Sequence, residues 1–344
     1  MVTKSVVHAE RLHGKRIWIL GRELQKMDLR KPVHQVIDGV PRCSGIVPDM
    51  LRENLKFRPQ KGDVVQTTFP KSGTHWMMYI VQLILRQGEP MTTYDEFAKE
   101  YRFIEYMDIK GWKSSLAVRT FATHLPLSKD TVSQEGKYIY VARNPWDVCV
   151  SMYHMVTNLS SYEYQDATFG DFVNVFVSGN FGYGDYFEHV ASAYNLRQEP
   201  NVLFVTYEEM KKDTHDVILK VAHFLGERYG RALLEDKRLL HQMLESSKPE
   251  SMRSVVVVDF RESRNPHWKE VFERNTVTCK QGYEGDQTKY SLVRTAKVGG
   301  WKEHFTPELL RRMEARIIEA ETVSSFMDLW KDIRAEAFKF SQSI

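Results

Sequence analysis

The sequence predicts one α/β domain with a central, mostly parallel sheet flanked by helices. Short runs rich in β-branched and aromatic residues, at 63–69, 117–124, 137–143 and 201–210, read as buried strands. Three of the four run directly into helical patterns, and strands alternating with helices imply a parallel sheet covered on both faces. The length of 344 residues, 42% hydrophobic and 27% charged, suits one large α/β unit.

The elements follow in order. Residues 1–30 are polar with weak periodicity and read as an N-terminal tail or peripheral helix. The domain occupies 31–344, with its ordered part expected to begin near Val36. DVVQTTF (63–69) is a buried strand leading into the loop FPKSGTHW (69–76). The helix THWMMYIVQLILRQG follows, with Thr74 as its cap and Gly88 as its stop. Its apolar residues run nearly all the way round, the mark of a buried helix. AVRTFATH (117–124) is a short strand ending in His124, and Pro126 stops it. KYIYVAR (137–143) is a stronger strand. Asn144 then caps a helix that has Pro145 at its first position and runs to about Val156. NVLFVTYEEM (201–210) gives another strand, followed by an amphipathic helix ending near Gly226. Thr306, Pro307 and Glu308 start a last helix over ELLRRMEARIIEAETVSSFMDLW.

Composition excludes several classes. Net charge is 48 − 45 = +3 without long basic tracts, which argues against a nucleic-acid partner. Three sparse cysteines, Cys43, Cys149 and Cys279, form neither a disulfide framework nor a zinc set, and Cys149 reads as a small core hydrophobe. The first residues lack the apolar core of a secretory signal. No apolar run reaches about 18 residues, so no membrane span is expected and a cytoplasmic location is.

The chemistry concentrates at strand ends. A strand running into a helix N-terminus exposes unpaired N–H groups and the positive end of the helix dipole, which together hold anions. Gly73 allows close backbone approach, Ser72 and Thr74 add hydroxyls, Lys71 adds charge, and Trp76 offers a face for a base. The competing reading is an ordinary turn with a surface lysine. Arg143 ends the next strand, and Ser151 lies eight residues on, so the pair makes a second anion site at the sheet's carboxyl edge. Taken singly, Arg143 would cap a loop and Ser151 would bond back into its helix. His124 ends a third strand; its ordinary pKa suits a general base at neutral pH.

FPKSGTHW resembles the 5′-phosphosulfate loop of cytosolic sulfotransferases, commonly TYPKSGTTW. ARNPWDVCVSMYH (142–154) resembles their 3′-phosphate segment, and ATHLP (122–126) their KTHLP. VTYEEMKKD (205–213) and RTAKVGGWKEHFT (294–306) resemble two later signatures of that family. The matches occur in family order over roughly residues 40–330.

The resemblance implies transfer of a sulfuryl group from 3′-phosphoadenylyl sulfate (PAPS) to a hydroxyl or amine, releasing 3′-phosphoadenosine 5′-phosphate (PAP), with no metal required. It places Lys71, Ser72, Gly73, Thr74 and His75 around the phosphosulfate, and Trp76, Tyr207 and Ser247 at the adenine. Arg143, Ser151, Arg294, Thr295 and Ala296 fall at the 3′-phosphate, and His124 at the base. Lys71 would steady charge on the bridging oxygen during an in-line displacement. Phe103, Tyr106, Met155 and Phe181 are the candidate lining of the acceptor pocket. A small phenol or catecholamine-like amine is the first acceptor expected.

Several departures bear on these expectations. Ala122 stands where the family has a lysine that helps steady the transferring group. Arg294, Thr295 and Ala296 replace its RKG. The segment 249–293 is longer than usual. The family's dimer pattern is broken at Pro307 and Arg311 within the stretch holding Lys302 and Thr306, leaving monomer and dimer both open. The alternative to an active enzyme is a catalytically weak protein that binds PAPS or PAP and senses or sequesters a small ligand. A nucleotide kinase would need a Walker-type glycine spacing and a magnesium-binding acid, which the sequence does not display.

Overall fold

The computed structural model describes residues 29–261, 269 and 277–342. The tail or helix expected over 1–30 lies outside them except for its last two residues. The first regular element among the described residues is an antiparallel hairpin, β1 (His34–Ile37) and β2 (Val40–Cys43).

Five parallel strands then build the central sheet: β3 (Val64–Thr68), β4 (Tyr101–Phe103), β5 (Thr120–Thr123), β6 (Lys137–Ala142) and β7 (Val202–Thr206). Their order is β4-β5-β3-β6-β7. The chain therefore leaves β3 toward one edge and later returns to pair β6 on its other side. That reversal puts the topological switch point between β3 and β6 and opens a crevice beyond their carboxyl ends. All five residues of β3 are buried, as expected for a strand covered on both faces.

One face is packed by α1 (Thr74–Leu85), whose residues are all buried except His75. The other carries α2 (Pro145–Asn158), α3 (Phe169–Ser178) and α4 (Tyr186–Tyr194), packed as one apolar cluster with Trp146, Phe172, Phe176 and Tyr186 at its centre. Cys149 is fully buried there. Asn144 accepts the Asp147 N–H and Pro145 opens α2, as the sequence indicates.

Three boundaries differ from expectation, and one segment left without elements acquires them. The cap of α1 is Gly73, in the left-handed region at φ 108, and Thr74 is the first helical residue; its hydroxyl is shared with Thr68 at 2.7 Å. The strand expected over 201–210 stops at Thr206. Thr206 and Glu209 form a reciprocal capping box that starts α5 (Tyr207–Lys212) and puts Tyr207 on its first turn. Segment 249–293 contains α6 (Pro249–Val255) and the antiparallel pair β8 (Val257–Asp259) and β9 (Lys289–Ser291), so the valines at 255–258 run from the end of the helix into the strand. The last periodic run, 308–330, splits into α7 (Pro307–Ala320) and a 3₁₀ turn at Phe326–Trp330, and a further helix, α8 (Lys331–Ser341), follows it.

Lys302, Thr306, Pro307 and Arg311 are engaged within the chain. Lys302 pairs with Glu336, Thr306 caps α7, Pro307 opens it, and Arg311 donates to the Ser341 carbonyl.

Replacing Thr206 with Ala removes one half of the capping box. It is expected to cost about 1 kcal/mol in urea unfolding, with the α/β fold retained by circular dichroism.

Candidate active site

Neighbouring parallel strands end on one edge, so the residues following β5, β3 and β6 lie side by side. The loop after β3 turns sharply: Lys71 has φ 69 and Gly73 has φ 108. A Cβ on Gly73 would meet the Tyr207 ring at 2.9 Å, so only glycine fits the close approach of loop and α5. The first N–H groups of α1 have no partner within the helix. The Ser72 hydroxyl and the Trp76 indole N–H are both buried and unpartnered. Trp76 stands edge-on to Tyr207 with ring centroids 5.4 Å apart, so two separate strand-to-helix junctions supply one aromatic corner.

Three cations converge on this loop. Lys71 is pushed down to about 8 by burial and by the positive charges of Arg294 and Arg143. Arg294 is lowered by burial and by Arg143. Like charges gathered this closely mark a place built for an anion. The Arg143 guanidinium lies 4.4 Å from the Tyr207 ring centre and donates to the carbonyls of Lys71 (3.2 Å) and Lys297 (2.8 Å). Its Nε is buried without a partner. Arg143 thus ties the phosphate loop to the late RTAKVGGW segment. Asp147, buried on α2, completes the tie by accepting the N–H groups of Gly299 (2.8 Å) and Trp301 (3.1 Å). Ser151 lies on the second turn of α2, is 7% exposed, and makes no hydrogen bond back into the helix.

His124 follows β5, and its backbone and ring are both held. Its Nδ1 lies 2.8 Å from the Thr68 carbonyl oxygen. A carbonyl only accepts, so Nδ1 carries the proton and Nε2 keeps the lone pair. The His124 N–H donates to Glu105, whose carboxyl burial pushes up to about 7. Burial and nearby Lys71 hold His124 neutral, down at about 4. His75 is also neutral, lowered to about 3 by burial, Lys71 and His124.

Aromatic rings wall the His124 side. Phe103 lies 5.2 Å from the His124 ring and Tyr183 stands edge-on at 5.9 Å. Tyr106 packs on Phe103 at 6.0 Å, and Phe181 sits behind Tyr183 at 6.2 Å. Met155 belongs to the core cluster of α2. Ala122 is fully buried and lines a small cavity under α1 with Gln66 and Gln82, whose side-chain oxygens are unpaired.

Two expected residues are not drawn into the cluster. The Ser247 hydroxyl donates to the Leu244 carbonyl at the end of its own helix, and no contact ties it to the loop. Thr295 is exposed. Ala296 sits at φ 52, in the region where the family's glycine would be relaxed.

Several neighbours of the site carry no sequence signal of their own. Tyr290 on β9 lies with its ring centre 5.9 Å from the Lys71 ammonium. His154, one turn beyond Ser151, lies Nε2 to Nε2 with His304 at 3.0 Å, and burial and Arg294 lower it to about 4. Asp147 and Glu105 could have been flagged as acidic residues inside apolar runs.

A strand–loop–helix anion cradle at a switch point, with a second cationic site one strand away, is the layout of an α/β protein that binds a doubly phosphorylated nucleotide. Comparison with known proteins gives the family. The sulfotransferase domain matches residues 61–325, and the chain belongs to that family. It is 31% identical over 276 residues to the 3-beta-hydroxysteroid sulfotransferase of Cavia porcellus, covering 76% of this chain and 85% of the relative. To the 3-alpha-hydroxysteroid sulfotransferase of the same animal it is 32% identical over 273 residues, covering 75% and 84%. A crystal structure of retinol dehydratase in complex with androsterone and inactive cofactor PAP shares the fold. Its TM-score is 0.61 at 20% identity, over 89% of this chain and 95% of that one.

Ala296→Gly is expected to relieve the left-handed strain and raise stability by about 0.5–1 kcal/mol in urea unfolding, with no loss of PAP affinity by calorimetry.

Proposed function

We propose that this sulfotransferase moves a sulfuryl group from PAPS to the hydroxyl of a neutral, flat, apolar acceptor, with His124 as general base. The observation that carries the reading is the gathering of Lys71, Arg143 and Arg294 at a helix N-terminus, where Arg143 donates to the Lys71 carbonyl and its charge helps lower both Lys71 and Arg294. The unpartnered Ser72 hydroxyl, Trp76 N–H and Arg143 Nε fit a ligand with a phosphosulfate, an adenine and a separate 3′-phosphate. Lys71, Ser72 and the first N–H groups of α1 would hold the phosphosulfate. Trp76 and Tyr207 would flank the base, and Arg143, Ser151 and Arg294 would hold the 3′-phosphate.

In the reaction, the acceptor oxygen bonds to sulfur as the bond from sulfur to the 5′-phosphate oxygen breaks. His124 Nε2 takes the acceptor's proton. Lys71 and the loop N–H groups stabilise the charge left on the departing oxygen, already oriented before it develops. His124 is neutral near neutral pH, the state a base must be in, and Lys71 is still largely protonated there.

The acceptor follows from the walls. Phe103, Tyr106 and Tyr183 give flat apolar contact beside His124, whereas an ammonium would approach Lys71 and be repelled. That favours a phenol or a steroid alcohol over a catecholamine-like amine, and the hydroxysteroid names of the relatives point the same way. The weakly catalytic reading draws on Ala122, which is uncharged and lines a small cavity under α1 beside two unpaired amide oxygens.

With labelled PAPS and a panel of 2-naphthol, an androstane alcohol and dopamine, turnover is expected on the neutral acceptors. His124→Ala should lower kcat by about 10²–10⁴ while PAP affinity holds. PAP binding without turnover on any acceptor would support the binding protein instead, and full activity in the variant would remove His124 from the mechanism.

The pH profile gives a separate check. Lys71 is charged below its pKa, so kcat/KM for PAPS should fall as pH rises through about 8. His124 loses its lone pair only below about 4, so no acid limb from it should appear near pH 6. Lys71→Met should abolish the alkaline limb together with most of the activity.

A further inference from the structure

Behind His124 lies a buried polar chain that the steps above do not use. His189 on α4 is 3% exposed. Its Nε2 lies 3.1 Å from the His124 carbonyl oxygen, and its Nδ1 lies 2.7 Å from the Tyr140 hydroxyl on β6. The ring of Phe69, the first residue of the phosphate loop, stands edge-on to it at 5.5 Å. We infer that His189 is a positioning residue for the transfer reaction, holding the main chain of His124 so that the base faces the acceptor.

The proton positions follow from the partners. The His124 carbonyl can only accept, so His189 Nε2 carries hydrogen. Nδ1 then keeps its lone pair, and the Tyr140 hydroxyl donates to it. The His124 carbonyl thus sets the tautomer, and the Tyr140 hydroxyl, which also lies 3.3 Å from the His189 carbonyl, supports it by serving Nδ1. Burial keeps His189 neutral, lowered to about 3, so both roles persist across the working pH range.

Three groups now define the His124 geometry. Glu105 takes its N–H, His189 serves its carbonyl, and Thr68 takes its ring proton. The first two grip the backbone on either side of the Cα, and the third fixes the ring. Without His189, a buried carbonyl loses its donor, and the 124–125 peptide turns to find another. The imidazole moves with it, and small misplacements of a reacting group are expensive in rate.

The inference rests on His124 as general base, so the experiment separates the two. Glutamine places an amide N–H near the position of His189 Nε2, whereas asparagine reaches only as far as Nδ1. With PAPS and 2-naphthol, His189→Gln should keep kcat within about threefold. His189→Asn should lower it by about 10- to 100-fold with both KM values within about twofold. In a His124→Ala background the two variants should have equal kcat. Equal kcat for Gln and Asn in the native background overturns the proposal, as does an Asn deficit that persists without the His124 ring. Full activity of His124→Ala alone instead overturns the general base, and the positioning role falls with it.

Should either His189 variant fail to fold, Tyr140→Phe serves the same purpose. It keeps the ring stacked on Phe204 at 5.3 Å and leaves the buried His189 Nδ1 without its donor, loosening the ring. A kcat loss of about threefold or more at unchanged KM is expected, and unchanged kcat overturns the proposal.

Discussion

Lys71, Arg143 and Arg294 repel one another, and everything around the site answers that repulsion. The parallel sheet brings the ends of β3 and β6 together whether or not an anion is present. Arg143 is restrained by two carbonyls and the Tyr207 face, so it cannot swing away to solvent. Asp147 offsets part of the charge, but it lies 3.8 Å from Arg143 and spends its oxygens on Gly299, Trp301 and Asn144. The folded chain therefore holds positive potential in place before the nucleotide arrives, which lessens the reorganisation needed at the moment of reaction.

The same burial sets the protonation states. It penalises imidazolium, leaving His124 and His75 neutral beside the cationic Lys71 and His189 neutral behind them. A neutral imidazole and a charged ammonium can coexist at close range only under that asymmetry. The aromatic walls of Phe103 and Tyr183 contribute to it by keeping water from the ring faces.

Much of this layout was readable because parallel strands share a polarity. Lys71, His124 and Arg143 each follow a β-rich run, so their convergence follows from the fold class. Trp76 meets Tyr207 as the family resemblance implies, although the strand expected at 201–210 concealed how. The Thr206–Glu209 capping signal was present in the sequence, but the β-branched run upstream masked it. Ser247 could not be judged from spacing, since its hydroxyl is satisfied inside its own helix. His189 and Glu105 contact main-chain atoms of His124, and contacts between segments 19 and 65 residues apart leave no periodic trace.

The bond from Arg143 to the Lys297 carbonyl spans 154 residues, and Asp147 reaches Trp301 over the same separation. Such contacts close a long loop, and their entropy must be met late in folding. A ribosome releasing this chain from its N-terminus would expose the phosphate loop, β6 and Arg143 long before Lys297 and Gly299 emerge. The cation cluster of Lys71, Arg143 and Arg294 is therefore assembled only once the chain beyond Lys297 and Gly299 has been made and folded back.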